Sequence, residues 1–391
     1  MGHPFDALTL DELRRRRSEK WSFHPPDILP VWVAEMDFPL AEPIRAALVD
    51  LAERSDTGYA FARGPELPQA YAAFASARYE LETDPSRMFV LEDIMRGILV
   101  SALLFTEPGD GIAITPPVYP PFFSTIAHSG RRVVEAPLFR DPRSGVYRFD
   151  LEALEHAFRD EGARAFLLCN PHNPTGRVFT REELESVAAL ADRYGVIVFA
   201  DEVHAPLTYA GSKHAPFMSL DAESARGSVT MVSASKAWNL PGLKCAMVVT
   251  GSAERWGRLA TLPDEVRYGA GIGGLIANEV AFREGTPWLD DTIGYLGSNV
   301  SRVADLLRER LPGVRWVPPE ATYLGWLDCS ALGLGDDPAV AFEERGRVAL
   351  THGPAFGTGG AGFARLNLAT TRAILEEAID RMARAVALPD G

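Results

Sequence analysis

Three cysteines in 391 residues, Cys169, Cys245 and Cys329, lie far apart in apolar surroundings, which excludes a disulfide framework and a cysteine-built zinc cluster. Such sparse use fits a reducing compartment. Long hydrophobic runs are missing too. No stretch approaches the roughly 20 apolar residues of a membrane helix, and the opening "MGHPFDALTLDEL" has early acids and no apolar core of signal-peptide length. The position where a myristoylation signal carries Ser or Thr holds Asp6. The expectation is a cytoplasmic protein with no membrane partner. Basic residues are also short: 39 Lys and Arg against 53 Asp and Glu give a net charge of −14, so nucleic acid is excluded as a partner for want of a basic face. The only dense basic run, Arg14 to Arg17, is flanked by acids and reads as a solvated helix face.

What is present is an ordinary globular composition, 47% hydrophobic and 24% charged, on a chain long enough for two domains. Through the middle, short apolar runs alternate with amphipathic ones: "GIAITPP", "ARAFLLCN", "TREELESVAALADRYG", "VIVFADE", "SVTMVSAS" and "KCAMVV". That alternation predicts an α/β domain with a mostly parallel sheet flanked by helices. A helix is expected over 181–194, with Thr180 as N-cap, Glu183 completing a capping box and Gly195 as its stop. From about Asp290 a long amphipathic helix, the strand-like "TYLGWLDCS" and "FARLNLAT", and a closing helix predict a smaller α+β domain joined by the N-terminal segment. The expected division is a large domain at 46–289 and a small one from 1–45 and 290–391. No internal repeat or low-complexity linker interrupts it.

Ligands of open parallel sheets bind at the carboxyl ends of the strands, and three such ends carry polar chemistry. "AFLLCNPHNPTG" ends in Asn170 and Asn173, which alone fits a tight turn. "VIVFADEVH" ends in Asp201, Glu202 and His204, and acids there can simply cap the next element. "TMVSASK" ends in Lys236. Its stem is either covered with the charge reaching water, or the amine is desolvated, lowered in pKa and able to form a Schiff base with an aldehyde.

Taken together, "NPHNPTG", a strand ending in Asp201, and "SASK" with Lys244 eight positions later resemble the fold-type I pyridoxal 5′-phosphate enzymes, the aspartate aminotransferase superfamily. The resemblance covers nearly the whole chain and implies a seven-stranded sheet in the large domain. It implies that Lys236 holds the cofactor aldehyde and that Asp201 faces the pyridine nitrogen, keeping it protonated as an electron sink. Asn173 matches the side chain at the ring's 3′-oxygen and beside the substrate, and His204 stands near the same oxygen, with a structural histidine as the alternative. Tyr119, in "PPVYPPF", matches the aromatic that stacks on the ring, with a core tyrosine as the alternative. Ser233, Ser235, Lys244 and the backbone at Ile94 and Met95 match the phosphate ligands. Tyr59, in "DTGYAF", resembles the tyrosine that reaches a neighbouring subunit's phosphate, which implies a homodimer with shared active sites. Arg365 matches the clamp on the substrate α-carboxylate, where bidentate geometry wants arginine; Ala34, in "WVAEMDF", is placed beside the substrate.

Within the superfamily, "ILPVWVAEMDFPLAEPIRAAL", "DEVHAPLTYAGSKHAPF" and "THGPAFGTGGAGFARLNLA" look most like the cystathionine β-lyase branch among the class II aminotransferases, bacterial carbon–sulfur lyases that include a maltose-regulon modulator. The chain departs from that pattern at Glu35, where the branch has Asp, and at Asp93 and Arg96, where Gly and Pro are common. Arg96 is expected to pair with Asp93 and hold the loop; facing the pocket instead, it would recognise a distal carboxylate. The resemblance implies β-elimination from L-cystathionine or a cysteine S-conjugate, giving pyruvate, ammonia and a thiol. A transaminase, a cyclase of secondary metabolism and a regulatory protein-binding role are the alternatives.

Overall fold

In the computed structural model, which describes residues 3–387, the chain runs through short helical turns into strand β1 (Leu29–Pro30) before the large sheet begins. The Met1–Gly2 start, on which the lipidation reading rests, lies outside the described residues. The large sheet takes β2 (Met88–Leu91), β3 (Gly111–Ile114) and β4 (Arg132–Glu135), skips a small hairpin of β5 (Phe139–Arg140) and β6 (Tyr147–Arg148), and continues with β7 (Ala163–Cys169), β8 (Ile197–Asp201), β9 (Val229–Val232) and β10 (Ala246–Thr250). Its spatial order is β2-β10-β9-β8-β7-β3-β4, and only β10 runs antiparallel to its neighbours. This is the mostly parallel seven-stranded sheet that the alternation and the resemblance imply.

The strands are near-continuous apolar runs because both faces are covered. Successive residues serve opposite layers: Phe166, Leu168 and Val198 pack against Leu184, Val187 and Leu154, whereas Ala165, Leu167 and Phe199 pack against Ile98, Phe122 and Ile126 on the other side. The helix Arg181–Tyr194 forms as its ends dictate. Thr180 Oγ1 accepts the Glu183 N–H, Glu183 accepts the Thr180 N–H, and Gly195 closes it in the left-handed region at φ 64°.

The C-terminal part builds a four-stranded antiparallel sheet from β11 (Arg315–Trp316), β12 (Leu324–Asp328), β14 (Thr351–His352) and β15 (Phe363–Asn367), while β13 (Val348–Ala349) pairs in parallel with β1. The long helix starts at Thr286, ahead of the expected Asp290, because Pro287 is tolerated in a first turn, where its missing N–H costs no hydrogen bond. The divisions at 45/46 and 289/290 fall inside the helices Glu42–Glu53 and Thr286–Arg310. One apolar cluster joins Val90 and Met247 of the large sheet to Leu324 and Ile379, so the two parts share their largest core.

The arginine run is not a helix face. The helix there is a single turn, Leu10–Leu13, and beyond it Arg14 donates to Pro26 O (2.9 Å) and Arg16 to Asp37 O (2.7 Å). Asp37 is also buried in an ion pair with Lys20 (2.7 Å) and accepts the Trp21 indole N–H (2.8 Å), which folds the N-terminal segment back on itself.

Candidate active site

The carboxyl ends of β2, β3, β7, β8 and β9 converge on a cavity of about 180 Å³. Lys236, Asp201, Asn173, His204, Tyr119, Ile94, Met95, Ser235, Lys244 and Ala34, all expected from the sequence, line it.

Lys236 arrives from the end of β9 through a braced turn. Ser233 Oγ donates to Cys245 O (2.7 Å) and accepts the Ser235 N–H (3.0 Å), and Asn278 Oδ1 accepts the Ala234 N–H (2.8 Å). Lys236 Nζ donates to Ala34 O (3.1 Å), which also accepts the hydroxyl of Tyr323 (2.9 Å). Burial, helped by the nearby Arg365 cation, lowers the Lys236 pKa to about 8. The half-buried amine, held by a carbonyl and lowered in pKa, supports the desolvated of the two readings of this lysine. Ser233, by contrast, is a turn brace and not on the cavity wall; Ser235 is.

Asp201 closes β8, paired in register with Cys169 of β7, and its Oδ1 accepts the Val203 N–H (3.1 Å). Burial raises its pKa to about 7, against the pull of that N–H and of Lys236. A carboxylate so placed favours a cation beside it. His204 is driven the other way, to about 3, by burial and by Lys236 and Arg365, so its imidazole is neutral; its buried Nδ1 has no protein partner. Tyr119 stands edge-on to Phe122, and burial raises its phenol above the usual range.

Arg365 projects from β15 beside the cavity. Its Nη1 donates to Asn173 Oδ1 (3.0 Å), its Nη2 to Thr351 Oγ1 (3.1 Å) and Trp32 O (3.3 Å), and its buried Nε has no partner. Burial lowers its pKa to about 10, which leaves it cationic at neutral pH. A buried guanidinium held by neutral groups, with one N–H to spare, suits a carboxylate ligand.

At the other end of the cavity the helix Ile94–Phe105 begins. Its N-cap Asp93 accepts the Arg96 N–H on Oδ1 (2.9 Å) and the Lys244 ammonium on Oδ2 (2.9 Å). The side chain of Arg96 pairs with Glu92 (2.6 Å), one helical turn back, and not with Asp93, because the capping geometry turns the Asp93 carboxylate toward the backbone. Arg96 is not on the cavity wall and its guanidinium is taken up by Glu92, which argues against its recognising a second anionic group there. Tyr59 also lies off the cavity wall: it is 90% exposed, with Tyr268 beside it.

The donor set fits pyridoxal 5′-phosphate: an amine for the aldehyde, a buried carboxylate for a ring cation, a neutral imidazole, and a helix N-terminus with a lysine for the phosphate. Sequence reasoning passed over Tyr323 and Thr351. The first sits in "TYLGWLDCS", read only as a strand, and the second carried no local sign at all.

The family model for aminotransferase class I and II matches residues 29–382. A Mycobacterium leprae protein provisionally named a cystathionine beta-lyase is 44% identical, with 98% of each chain covered. The cystathionine beta-lyase of Corynebacterium glutamicum is 37% identical over 96% of this chain and 98% of its own. A crystal structure from Corynebacterium diphtheriae, provisionally assigned as a PLP-dependent beta-cystathionase, superposes with a TM-score of 0.91 at 36% identity, covering 97% and 98% of the two chains.

Proposed function

The chain belongs to the class I and II aminotransferase family of pyridoxal-phosphate enzymes, and on that premise we propose that it is a carbon–sulfur β-lyase acting on L-cystathionine or related cysteine S-conjugates. The observation that carries the reading is the grouping of Lys236, Asp201 and Arg365 around one cavity; similarity along the full length to named β-lyases favours elimination over transamination.

When bound, pyridoxal 5′-phosphate supplies an electron sink for negative charge at the substrate Cα. The protein's own groups do the rest. Arg365 binds the substrate α-carboxylate, with Asn173 and Thr351 fixing the plane of its guanidinium. Asp201, on the cavity wall, would keep the ring nitrogen protonated, and Lys244 with the backbone of Ile94 and Met95 would hold the phosphate. Lys236 Nζ, with much of its population neutral near pH 8, takes the Cα proton, and the carbonyl of Ala34 receives the resulting ammonium. The β-thiolate leaves with the carbon–sulfur electron pair and picks up a proton, and hydrolysis of the remaining three-carbon unit gives pyruvate and ammonia. Incubation of the cofactor-loaded protein with L-cystathionine should release pyruvate and free thiol in equal amounts. Transfer of the amino group to an added 2-oxo acid, without thiol release, would replace lyase by transaminase.

The homodimer belongs to the same proposal. Tyr59, Phe61 and Tyr268 are 90%, 74% and 58% exposed, an aromatic surface that fits a second copy better than water. Sedimentation should give a dimer at assay concentration, and a fully active monomer would rule out a site shared between subunits. The three free, buried cysteines fit a cytoplasmic location.

A further inference from the structure

The cation at the phosphate end of the cavity is already engaged. Lys244, in the left-handed backbone region at φ 54°, places Nζ 2.9 Å from Asp93 Oδ2, and Oδ1 of the same carboxylate takes the Arg96 N–H at 2.9 Å. One carboxylate therefore holds the lysine that an arriving phosphate needs, while its other oxygen caps the start of a twelve-residue helix. Asp93 and Lys244 line the same cavity as Lys236 and as His204, whose buried Nδ1 has no protein partner, so a ligand is expected against them.

We propose that Asp93 acts as an internal anion in the phosphate subsite, competing with the cofactor's phosphate for Lys244 and setting how tightly the cofactor is held. The inference rests on the reading of this cavity as a pyridoxal 5′-phosphate site. A dianionic phosphate that reaches Lys244 must either displace the carboxylate or share the ammonium with it, and two anions within a few ångströms of one cation repel each other. Asp93 and Lys244 are 37% and 57% exposed, so water and salt screen the competition and its effect is moderate. An aspartate at this position is also an ordinary helix cap, and the substitution that separates the two roles is Asp93→Asn. Asparagine caps a helix about as well and carries no charge.

The experiment is titration of the cofactor-free protein, wild type and Asp93→Asn, with pyridoxal 5′-phosphate and with pyridoxal, which lacks the phosphate. Protein fluorescence is read for both, and thermal unfolding checks that the cap survives. Asp93→Asn should lower the dissociation constant for pyridoxal 5′-phosphate about tenfold, which is about 1.4 kcal/mol, and leave that for pyridoxal unchanged. Should the variant fail to fold, Asp93→Ser, another capping residue, serves the same comparison. Equal affinity of both proteins for pyridoxal 5′-phosphate, or an equal gain with pyridoxal, would overturn the inference while leaving the proposed function standing. No binding of pyridoxal 5′-phosphate by either protein would overturn the reading of the cavity and this inference with it.

Discussion

Lys236→Ala should fold normally and lose turnover by on the order of 10⁴-fold, because one substitution removes both the cofactor attachment and the base for the Cα proton. The fold survives because the turn that presents the lysine is braced by Ser233 and Asn278, and because Ala34 O keeps the hydroxyl of Tyr323 when Nζ is gone. Borohydride treatment of the loaded wild type, followed by peptide mapping, should find the cofactor on Lys236 and nowhere in the variant. The pH dependence has a definite sign. The attacking amine must be neutral, and burial with Arg365 lowers its pKa to about 8. The rate at which cofactor-free protein captures pyridoxal 5′-phosphate should therefore climb as pH rises toward 8 and level off above it, where an ordinary lysine would still be gaining. A variant that turns over at the wild-type rate would remove Lys236 from the mechanism.

Asp201→Asn is expected to lower kcat by about 10²- to 10³-fold, the range for loss of one preorganised electrostatic partner in a water-poor site. The side chain stays where it is, since an amide oxygen can accept the Val203 N–H as the carboxylate does. What is lost is the negative charge that a cation on the part of the ligand facing Asp201 needs. Burial already raises this carboxylate to about 7, so the cavity favours the ionised form only when something positive lies against it. Near-normal cofactor binding combined with slow turnover is the expected signature. Unchanged kcat would show that Asp201 does not stabilise the charge that develops during reaction.

The parts of this site that were legible in the sequence are those whose chemistry is written locally. "NPHNPTG", "VIVFADE" and "SASK" each put a polar group directly after an apolar run, and a parallel sheet brings all such strand ends to one edge. The capping box at Thr180 was legible for the same reason, since four consecutive residues contain it. What stayed hidden depends on phase or on distant pairing. Ser233 and Ser235 are equivalent as letters, and only the path of the turn after β9 sends one to the cavity and the other to the carbonyl of Cys245. Arg96 and Asp93 are close in sequence, yet the start of a helix puts the capping carboxylate and the arginine side chain in different directions, so Arg96 pairs with Glu92. Thr351 meets Arg365 because β14 and β15 pair in that register, and no run of residues near Thr351 announces it.

The N-terminal segment gives the site a schedule as well as a wall. Leu29 and Pro30 pair with Val348 and Ala349, Trp32 O accepts Thr351 Oγ1, Val33 O and Glu35 O accept Asn367 Nδ2, and the Asp37 N–H meets Ala369 O. The carbonyl of Ala34 that receives Lys236 thus lies on a stretch synthesised well before the residues, 348–369, that anchor it. During synthesis the large sheet can assemble on its own strands and meet Ala34 and Met36 through Lys236 and Asn239, but the ladder that seats residues 29–37 against the C-terminal strands is complete only when the chain has emerged past Ala369. These contacts span most of the chain, so their closure entropy is met late in folding. A nascent chain therefore carries no finished catalytic centre until residues through Ala369 have been made, so the site closes after the sheet that bears most of its side chains.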